Sequence, residues 1–435
     1  MTGAPTLRER LGGWGLVMLV VAVMAHQMWP AVPRWLAGVV GWAAALLLWP
    51  RLTAKQRVPV LAMLITGVAG IGTGAVLGQG GLMEQALSQN NALVAMLVAV
   101  SFLQPVTLTQ ATDEALPYGR RALWRTMLGV HLFGGVINLS TVMIVGERIA
   151  VGSRLERGQV IALSRSFGAA AFWSPFWVAM AMALSFAPGA SFSRLLLVGI
   201  PFAALGLLLT WFDLTWGDPA QGESFRGYPM HLRALAVPLA LAVGVIAVHA
   251  FVPGWSVLSG VTLLAPLVGG GLLLARLGPV AAAHRLERHI TTRLSGMAGE
   301  VHLFLSAAMF AAGLGAVLKV LGPGLPFHGF GGLEAAVTLA LIVGLSLVGI
   351  HPVISVATAS AWLAPVAPDQ DLLALTILMA WGIATTCNPF SGLALALQGR
   401  FGLPGRKLLA WNAGYALRMV AAGAIVLWLF ASFVP

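Results

Sequence analysis

The sequence predicts an all-α polytopic membrane protein made of two inverted five-helix repeats, each with a re-entrant hairpin, in all about eleven spans and two hairpins. Three observations lead to this prediction. Apolar runs of 18 or more residues recur along the whole 435-residue chain, and this is the length that a helix needs to cross a bilayer. Positive charges fall in short loops, and two similar proline breaks interrupt apolar segments, one in each half.

Composition separates this chain from soluble and nucleic-acid-binding proteins. It is 59% hydrophobic and 9% charged, with a mean hydropathy of +0.89. The net charge of +11 alone would suggest a nucleic-acid partner, but charges confined to short loops indicate membrane topology instead. The single cysteine, Cys387, excludes a disulfide within the chain. We therefore expect the lipid bilayer as the surroundings and no nucleic-acid partner.

The distribution of lysine and arginine decides how the apolar segments cross the membrane. A full span at 124–145 would move the arginines that follow it to the outer side, whereas a re-entrant hairpin over 119–150 keeps them inside. With that hairpin, twenty of the 25 Lys and Arg residues are cytoplasmic and only Arg34 and Arg194 face outward, which is a strong positive-inside bias. The same argument makes 326–366 a second hairpin, opening from the outer face. It also predicts a cytoplasmic N-terminus in the inner (plasma) membrane.

These assignments divide the chain into four parts. They are a first transmembrane helix at 1–32, repeat 1 at 33–212 with a broken helix at 159–187, a cytoplasmic connector at 213–232, and repeat 2 at 233–435 with a broken helix at 370–398. Five spans per repeat is an odd number, so the second copy must be inverted relative to the first.

The two breaks place a small polar residue, proline and phenylalanine inside apolar segments. They are Trp173-Ser174-Pro175-Phe176 and Cys387-Asn388-Pro389-Phe390, and one constant interval separates their prolines and their phenylalanines. Proline frees backbone carbonyls in a helix, which lipid tolerates only where protein or a cavity satisfies them. One such break is usually a kink repaired by neighbouring helices, but two in register indicate the binding site of a repeat-built transporter. The binding residues expected here are Ser174, Pro175, Thr385, Thr386, Asn388 and Pro389.

Polar residues at the two predicted hairpin tips complete the expected site. At the first tip we expect Asn138, Ser140 and Thr141 to bind substrate or ion, since they also supply local partners for the turn. The second tip carries His351 and Ser355. An ionisable group inside the membrane is a functional candidate, so His351 is expected to bind an anion or carry a proton. The alternative is a neutral histidine that caps the turn.

One further ionisable residue lies inside a predicted span. Arg165 is about two turns from the cytoplasmic end of its span, so it either pairs with an anion or extends to the interface. Glu300 and His302 are two residues apart and point in different directions on a helix, which argues against a zinc site. No metal is expected beyond Na⁺ at the hairpin tips.

This layout resembles the ion transporter superfamily, in particular its divalent anion/sodium symporter branch. Members have two inverted five-span repeats, an inner and an outer re-entrant hairpin, and broken fifth and tenth spans. Their hairpin tips carry Ser-Asn-Thr motifs that bind sodium and the substrate carboxylate, and Asn138, Ser140 and Thr141 resemble a rearranged version. The second tip, with His351, departs from that motif. The resemblance implies an elevator mechanism, in which a transport domain of hairpins and broken spans slides against a dimeric scaffold.

The expected function is secondary active transport of a small organic anion, most simply a carboxylate, coupled to Na⁺ or H⁺. No other cofactor is expected, and the expected assembly is a homodimer. The chain has no P-loop, G-x-x-x-x-G-K-[ST], to indicate an ATP-driven pump. An enzyme is not expected, because only fourteen carboxylate side chains are present and most lie in loops. The alternatives are an exporter of an inorganic oxyanion or toxic metabolite, a subunit of a binding-protein-dependent transporter, and an integral membrane transferase.

Overall fold

A computed structural model describes residues 5–107, 114–230, 236–252, 254–321 and 329–433, and these residues are almost entirely helical. The helices are α1 (Leu7–Met28), α2 (Arg34–Leu48), α3 (Ala54–Val76), α4 (Leu82–Ser88), α5 (Asn91–Ser101), α6 (Gln104–Thr107), α7 (Arg120–Ile137), α8 (Leu139–Ile149), α9 (Arg157–Ala170), α10 (Val178–Phe186), α11 (Phe192–Thr215), α12 (Pro219–Ser224), α13 (Ala236–Phe251), α14 (Val257–Arg288), α15 (Ala298–Leu321), α16 (Gly332–Leu347), α17 (Pro352–Leu363), α18 (Gln370–Cys387), α19 (Gly392–Phe401) and α20 (Gly405–Phe433). Extended pairing in these ranges is limited to two isolated bridges. The prediction of an all-α chain is confirmed.

Length and apolar character identify the helices that can cross a bilayer. Within the described residues six segments qualify: Leu7–Met28, Ala54–Val76, Phe192–Thr215, Val257–Leu321, Gln370–Phe401 and Gly405–Phe433. Three further helical segments are apolar but shorter: Leu239–Phe251, Gly332–Leu347 and Pro352–Val366. The chain is therefore a multi-pass membrane protein. The count of eleven spans stays a prediction, because several elements expected to be spans are short helices, such as the 11-residue α5.

Capping residues in the sequence set several helix boundaries. Thr53 and Gln56 form a capping box at the start of α3, which satisfies two backbone N–H groups that have no partner inside the helix. The Asp369 carboxylate accepts the Leu372 N–H at 2.8 Å and so begins α18. Ser391 caps α19 in the same way. The start of each helix that flanks the second proline break is thereby fixed.

The described residues divide into two compact units. Unit 1 comprises those within Met1–Leu108, Val243–His328 and Val356–Ala367, and unit 2 those within Thr109–Ala242, Gly329–Ser355 and Pro368–Pro435. In unit 1, α3 packs along α15. Also in unit 1, α14 bends at Gly278, which has a φ of +75° and precedes Pro279. A proline at such a position removes a helical hydrogen bond, so the bend has an ordinary local cause.

Unit 2 is organised around α9 and α18, the first halves of the two broken helices. Every residue of α9 after Arg157 is buried. In the most apolar 18-residue stretch of Gln370–Phe401, 94% of the residues are buried. In the corresponding stretch of α20, 28% are buried. Helix α7 packs on α9, while α16 and α20 pack on α18. A helix that is buried on all sides belongs to a protein interior, so the two breaks lie in the core of this unit.

The first predicted hairpin and both broken helices correspond to pairs of helices in unit 2. Segment 119–150 contains α7 and α8, which pack against each other with Asn138 between them. Segment 159–187 contains α9 and α10, and segment 370–398 contains α18 and α19. The interval between the starts of α10 and α19 is the same as that between the two prolines, and α11 and α20 start at nearly the same interval. The helices that follow the first break therefore start at nearly the same distances from it as their counterparts do from the second break.

One predicted boundary differs from the observed helices, and the start of the second predicted hairpin lies outside the described residues. Helix α11 continues to Thr215, past the expected repeat boundary at 212, because Asp213 near its end is paired with two arginines. In the second predicted hairpin, residues 326–328 lie outside the described residues. Its arms are α16 and α17, and α17 passes from unit 2 to unit 1 after Ser355.

Candidate functional site

The first hairpin turns at one residue, Asn138, which connects α7 directly to α8. Its φ of +57° and ψ of −144° lie outside the left-handed helical region that asparagine tolerates and near a region that glycine favours, so the turn holds some backbone strain. The Asn138 side-chain amide donates to the Phe176 carbonyl at 3.2 Å, inside the first break. The turn residue of the hairpin is therefore bonded to the broken helix.

Side chains of the first break satisfy carbonyls that α7 leaves free at its C-terminus. Ser174 Oγ donates to the Gly135 carbonyl, and Trp177 Nε1 donates to the Gly134 carbonyl at 2.8 Å. Ser174 Oγ also accepts the Phe176 N–H at 3.2 Å. The last carbonyls of a helix have no partner within it and must be satisfied in lipid. The side chains of the first break thus supply the hydrogen bonds that the C-terminal end of α7 needs at the hairpin tip.

The second tip uses different residues for the same purpose. Helix α16 ends with Gly349 at a φ of +97°, and the N–H groups of Gly349 and Ile350 donate to Ser346 and Leu345, a helix ending that favours glycine. His351 Nδ1 accepts the Val353 N–H at 3.2 Å. His351 therefore caps the start of α17.

Asn388 joins the second break to this tip. Its Nδ2 donates to the Ile350 carbonyl at 3.3 Å, and its Oδ1 accepts the Phe390 N–H at 2.7 Å. The equivalent position in the first break is Ser174, which also donates to a tip carbonyl and accepts the N–H two residues later. The backbone N–H groups of the two residues also bond in the same way, because each donates to the carbonyl four residues earlier, Ser174 to Ala170 and Asn388 to Ala384. Pro175 and Pro389 directly follow these two residues.

The two broken helices approach each other closely at a pair of glycines, Gly168 and Gly382. A Cβ at Gly168 would lie 3.0 Å from the Gly382 carbonyl oxygen, and a Cβ at Gly382 would lie 3.0 Å from the Gly168 carbonyl oxygen. The other neighbours are exchanged in the same manner, Thr386 beside Gly168 and Phe172 beside Gly382. Glycine at both positions therefore lets the backbones of α9 and α18 come close together.

Two hydroxyl groups near the tips have no hydrogen-bond partner among the residues that the structure describes. Thr141 and Ser355 are 3% and 4% exposed, and neither hydroxyl oxygen bonds to any described residue. The interval between them in sequence equals that between the two prolines, so each occupies the same position in its own half. Ser140, beside the first of them, is half-buried. Unsatisfied buried hydroxyls are unusual in native proteins and call for an explanation.

The threonines of the second break are already engaged with the protein. Thr385 Oγ1 donates to the Trp381 carbonyl at 2.9 Å, and Thr386 Oγ1 donates to the Ile383 carbonyl at 2.7 Å. Their own carbonyls accept from Ser391 Oγ at 3.3 Å and from Asn412 Nδ2 at 2.9 Å. The carbonyls expected to be free at this break thus have protein donors, although a carbonyl oxygen keeps a second lone pair.

Arg165 is buried and pairs with protein groups. Its side chain is 4% exposed, and its Nη1 lies 2.6 Å from the Asp213 carboxylate. Nε donates to Asn412 Oδ1 at 2.8 Å, and Nη2 donates to the Trp411 carbonyl at 2.9 Å. Within the described residues the anion that Arg165 contacts is therefore a carboxylate of the same chain.

Two buried residues that support this site, His131 and Asn412, have no clear signal in the sequence. His131 accepts from Trp173 Nε1 at 3.0 Å and its Nδ1 lies 3.2 Å from the Ser166 carbonyl. Asn412 bonds Arg165, Thr386 and Ser164, the last at a separation of 248 residues in sequence. The sequence signal for both is weak, because each is a single polar residue within an apolar run.

The described residues contain no group of three or more His, Cys, Asp and Glu side chains that could hold a metal ion. The Thr141 and Ser355 oxygens, which lack partners in the described part of the chain, belong to neutral hydroxyls. Neutral oxygens suit a hard monovalent or divalent cation more than a transition metal. The arrangement therefore offers two neutral hydroxyl oxygens, those of Thr141 and Ser355, within an apolar core.

The helices and their apolar character define a class, that of all-helical multi-pass membrane proteins. The chain is similar to the crystal structure of the Alcanivorax borkumensis YdaH transporter, which is described as having an unusual topology. The TM-score is 0.54 at 16% identity, over 86% of this chain and 98% of that one. The chain matches no protein-family profile and no curated protein sequence. At this identity the similarity establishes the fold.

Proposed function

We propose that this protein is a secondary active transporter that carries a small organic anion, most simply a carboxylate, in symport with Na⁺. Similarity in fold to a transporter supports the general class. The observation that carries the proposal is the equivalence of the two half-sites. In each, a break residue, Ser174 or Asn388, is bonded to a hairpin tip, and a buried hydroxyl, Thr141 or Ser355, bonds to no described residue.

The two free hydroxyls favour Na⁺ as the coupling ion. A sodium ion takes several oxygen ligands, and discontinuous helices in transporters supply them from carbonyls and side chains near the break. Each tip offers a buried hydroxyl oxygen that bonds to no described residue. Proton coupling through His351 receives less support, because its Nδ1 already accepts the Val353 N–H.

An elevator mechanism is supported by the distribution of the predicted site residues. All twelve, from Asn138 to Pro389 and including Arg165, belong to unit 2. An elevator requires that everything touching the cargo move together, and a single compact unit meets that requirement. We further propose, as the resemblance to the ion transporter superfamily implies, a homodimer in the inner membrane with a cytoplasmic N-terminus.

Uptake into proteoliposomes tests the proposal. The purified chain is reconstituted, and uptake of radiolabelled di- and tricarboxylates is measured under an inward Na⁺ gradient, an inward H⁺ gradient, or neither. We expect uptake of at least one carboxylate that requires the Na⁺ gradient and is abolished by a Na⁺ ionophore. Uptake driven only by the H⁺ gradient would contradict Na⁺ coupling but would support a proton-coupled transporter. No Na⁺- or H⁺-dependent uptake of any carboxylate would contradict the proposed function.

A paired variant distinguishes the site from a merely kinked helix. Asn138→Ala and Asn388→Ala each remove a bond between a tip and a break. If both variants transport like the wild-type protein, the breaks are packing features and the paired-site proposal fails. Asn91→Ala, which alters an asparagine in unit 1, serves as the matched control and is expected to retain Na⁺-dependent uptake.

A further inference from the structure

A second polar region of unit 2 lies apart from the hairpin tips. It is a cavity of about 360 Å³, a size that suits a small ligand. Its walls come from one face of α9, the end of α11, the connector that follows and one face of α20. The residues of the hairpin tips and of the two proline breaks are not among those that line it.

The ionisable groups of this cavity carry excess positive charge. Three guanidinium groups, Arg157, Arg165 and Arg418, line it together with only two carboxylates, Asp213 and Asp218. The Asp213 carboxylate is shared, since Arg165 Nη1 lies 2.6 Å from Oδ2 and Arg418 contacts both oxygens at 2.9 and 2.5 Å. Asp218 accepts from the side chain and backbone of Gln221. Both carboxylates are therefore already engaged, and one net positive charge faces the cavity.

Donors and one acceptor in the wall have no partner among the described residues. The Tyr415 hydroxyl belongs to a residue that is 1% exposed and bonds to none of them. Its ring lies under the Arg165 guanidinium at 4.5 Å, which holds the ring in place. Gln221 Oε1 is buried and is likewise unpaired in those ranges. Arg157 is exposed and forms no ion pair there.

We propose that this cavity binds a phosphate group, either as a soluble phosphate or as the headgroup of an anionic lipid. Excess guanidinium charge and a free tyrosine hydroxyl recognise the anionic oxygens, because arginine forks match phosphate geometry. The unpaired Gln221 oxygen needs a donor, which a simple carboxylate lacks. A protonated phosphate oxygen or a headgroup hydroxyl supplies one. Basic pockets between transmembrane helices are known places for lipid headgroups.

The cavity is connected to the second break by hydrogen bonds. Arg165 Nε donates to Asn412 Oδ1, and Asn412 Nδ2 donates to the Thr386 carbonyl at 2.9 Å. Asn412 is fully buried, so a ligand that shifts Arg165 also shifts a group bonded to the break. The phosphate site is thus placed to regulate the break, and its existence does not depend on the proposed transport function.

Direct binding to the full-length purified protein tests this site. Native mass spectrometry compares phosphatidylglycerol with phosphatidylcholine of the same acyl chains, and thermal unfolding compares sodium phosphate with sodium chloride at equal ionic strength. We expect either preferential binding of phosphatidylglycerol, which identifies a lipid headgroup, or a rise in unfolding temperature with inorganic phosphate alone, which identifies a soluble phosphate. Equal binding of both lipids together with no effect of phosphate would overturn the proposal.

Two variants test whether the measured phosphate binding takes place in this cavity. Arg157→Gln removes an exposed guanidinium, and Tyr415→Phe removes only the hydroxyl. Each is expected to weaken binding about tenfold, as for loss of a hydrogen bond to a charged group. Arg121→Gln and Tyr228→Phe alter an arginine and a tyrosine of unit 2 outside the cavity and should bind as the wild type does. If Arg157→Gln, whose exposed side chain is not needed for folding, binds with unchanged affinity, the site is elsewhere.

Discussion

Hydroxyl groups in the core of unit 2 differ in what they bond. Thr376 and Thr385 donate to the carbonyl four residues earlier in their own helix, at 2.7 and 2.9 Å, the usual arrangement for threonine in an apolar helix. Thr141 and Ser355 do not bond to any described residue. A buried polar group without a partner costs about 1–3 kcal/mol. A cost of this kind at two equivalent positions points to a ligand that supplies the missing interaction.

Removing these hydroxyls should weaken sodium binding. We expect Thr141→Val and Ser355→Ala each to raise the Na⁺ concentration for half-maximal uptake about tenfold, equivalent to ~1.4 kcal/mol, because each loses one oxygen ligand. The measurement is a Na⁺ titration of uptake in proteoliposomes. Thr376→Val, whose hydroxyl bonds within its helix, should leave the titration unchanged. Identical titrations for both site variants and the wild type would rule out the hydroxyls as ligands.

The role shared by Ser174 and Asn388 leads to a substitution test. Asn388→Ala leaves the Ile350 carbonyl and the Phe390 N–H without their side-chain partner and should lower the free energy of unfolding by about 1–3 kcal/mol. Asn388→Ser should lose less, because serine makes both kinds of bond at the equivalent position. Thermal unfolding in detergent compares the three proteins. Equal losses for the alanine and serine variants would show that the two positions are not equivalent.

At the scale of elements, the contact between α9 and α18 depends on two glycines. Gly168→Ala would place a methyl group against Thr386 and 3.0 Å from the Gly382 carbonyl oxygen, and such overpacking costs about 1–3 kcal/mol. Gly382→Ala should have a similar effect. Gly399→Ala on α19 is the control, since its added Cβ would meet no atom within 4 Å beyond its own stretch of helix and alanine favours the helix. Thermal unfolding measures all three, and an unchanged Gly168→Ala variant would contradict the close approach.

The sequence reveals the elements of this site but not the bonds between them. Pro175 and Pro389 mark both breaks because proline acts on its own helix, a local effect that needs no partner. His131 and Asn412 are different, because their roles come from atoms far away in the chain. Asn412 is 247 residues from Arg165. No periodicity in an apolar run indicates which of its polar residues will meet such a partner.

For the whole molecule, the short second arm of the first hairpin has a topological consequence. Helix α8 has 11 residues and is about 16 Å long, against a hydrocarbon core of about 30 Å. Such a helix cannot cross alone, which supports the re-entrant assignment of 119–150. Both ends of the hairpin should then lie on the cytoplasmic face.

Cysteine labelling of the whole protein in its membrane checks this topology. Tyr118→Cys and Val151→Cys lie at the two ends of the hairpin, where the native side chains are 65% and 55% exposed. A membrane-impermeant maleimide should label both in inside-out vesicles and neither in intact spheroplasts. The buried Cys387 lets the wild-type chain serve as the unlabelled background. Labelling of the two positions from opposite sides would make 124–145 a full span.

The partners of Arg165 also determine when unit 2 is completed during synthesis. Asp213 follows it by 48 residues, but Asn412 follows by 247 residues. At about 5–20 residues per second, the second interval lasts roughly 10–50 s. During that time α9 is already in the membrane with its arginine neutralised but without the amide that joins it to α18. Helix α20 therefore completes the bonds of Arg165 in unit 2, and a chain shortened before residue 412 should leave α9 without this partner and be degraded faster than the full-length chain.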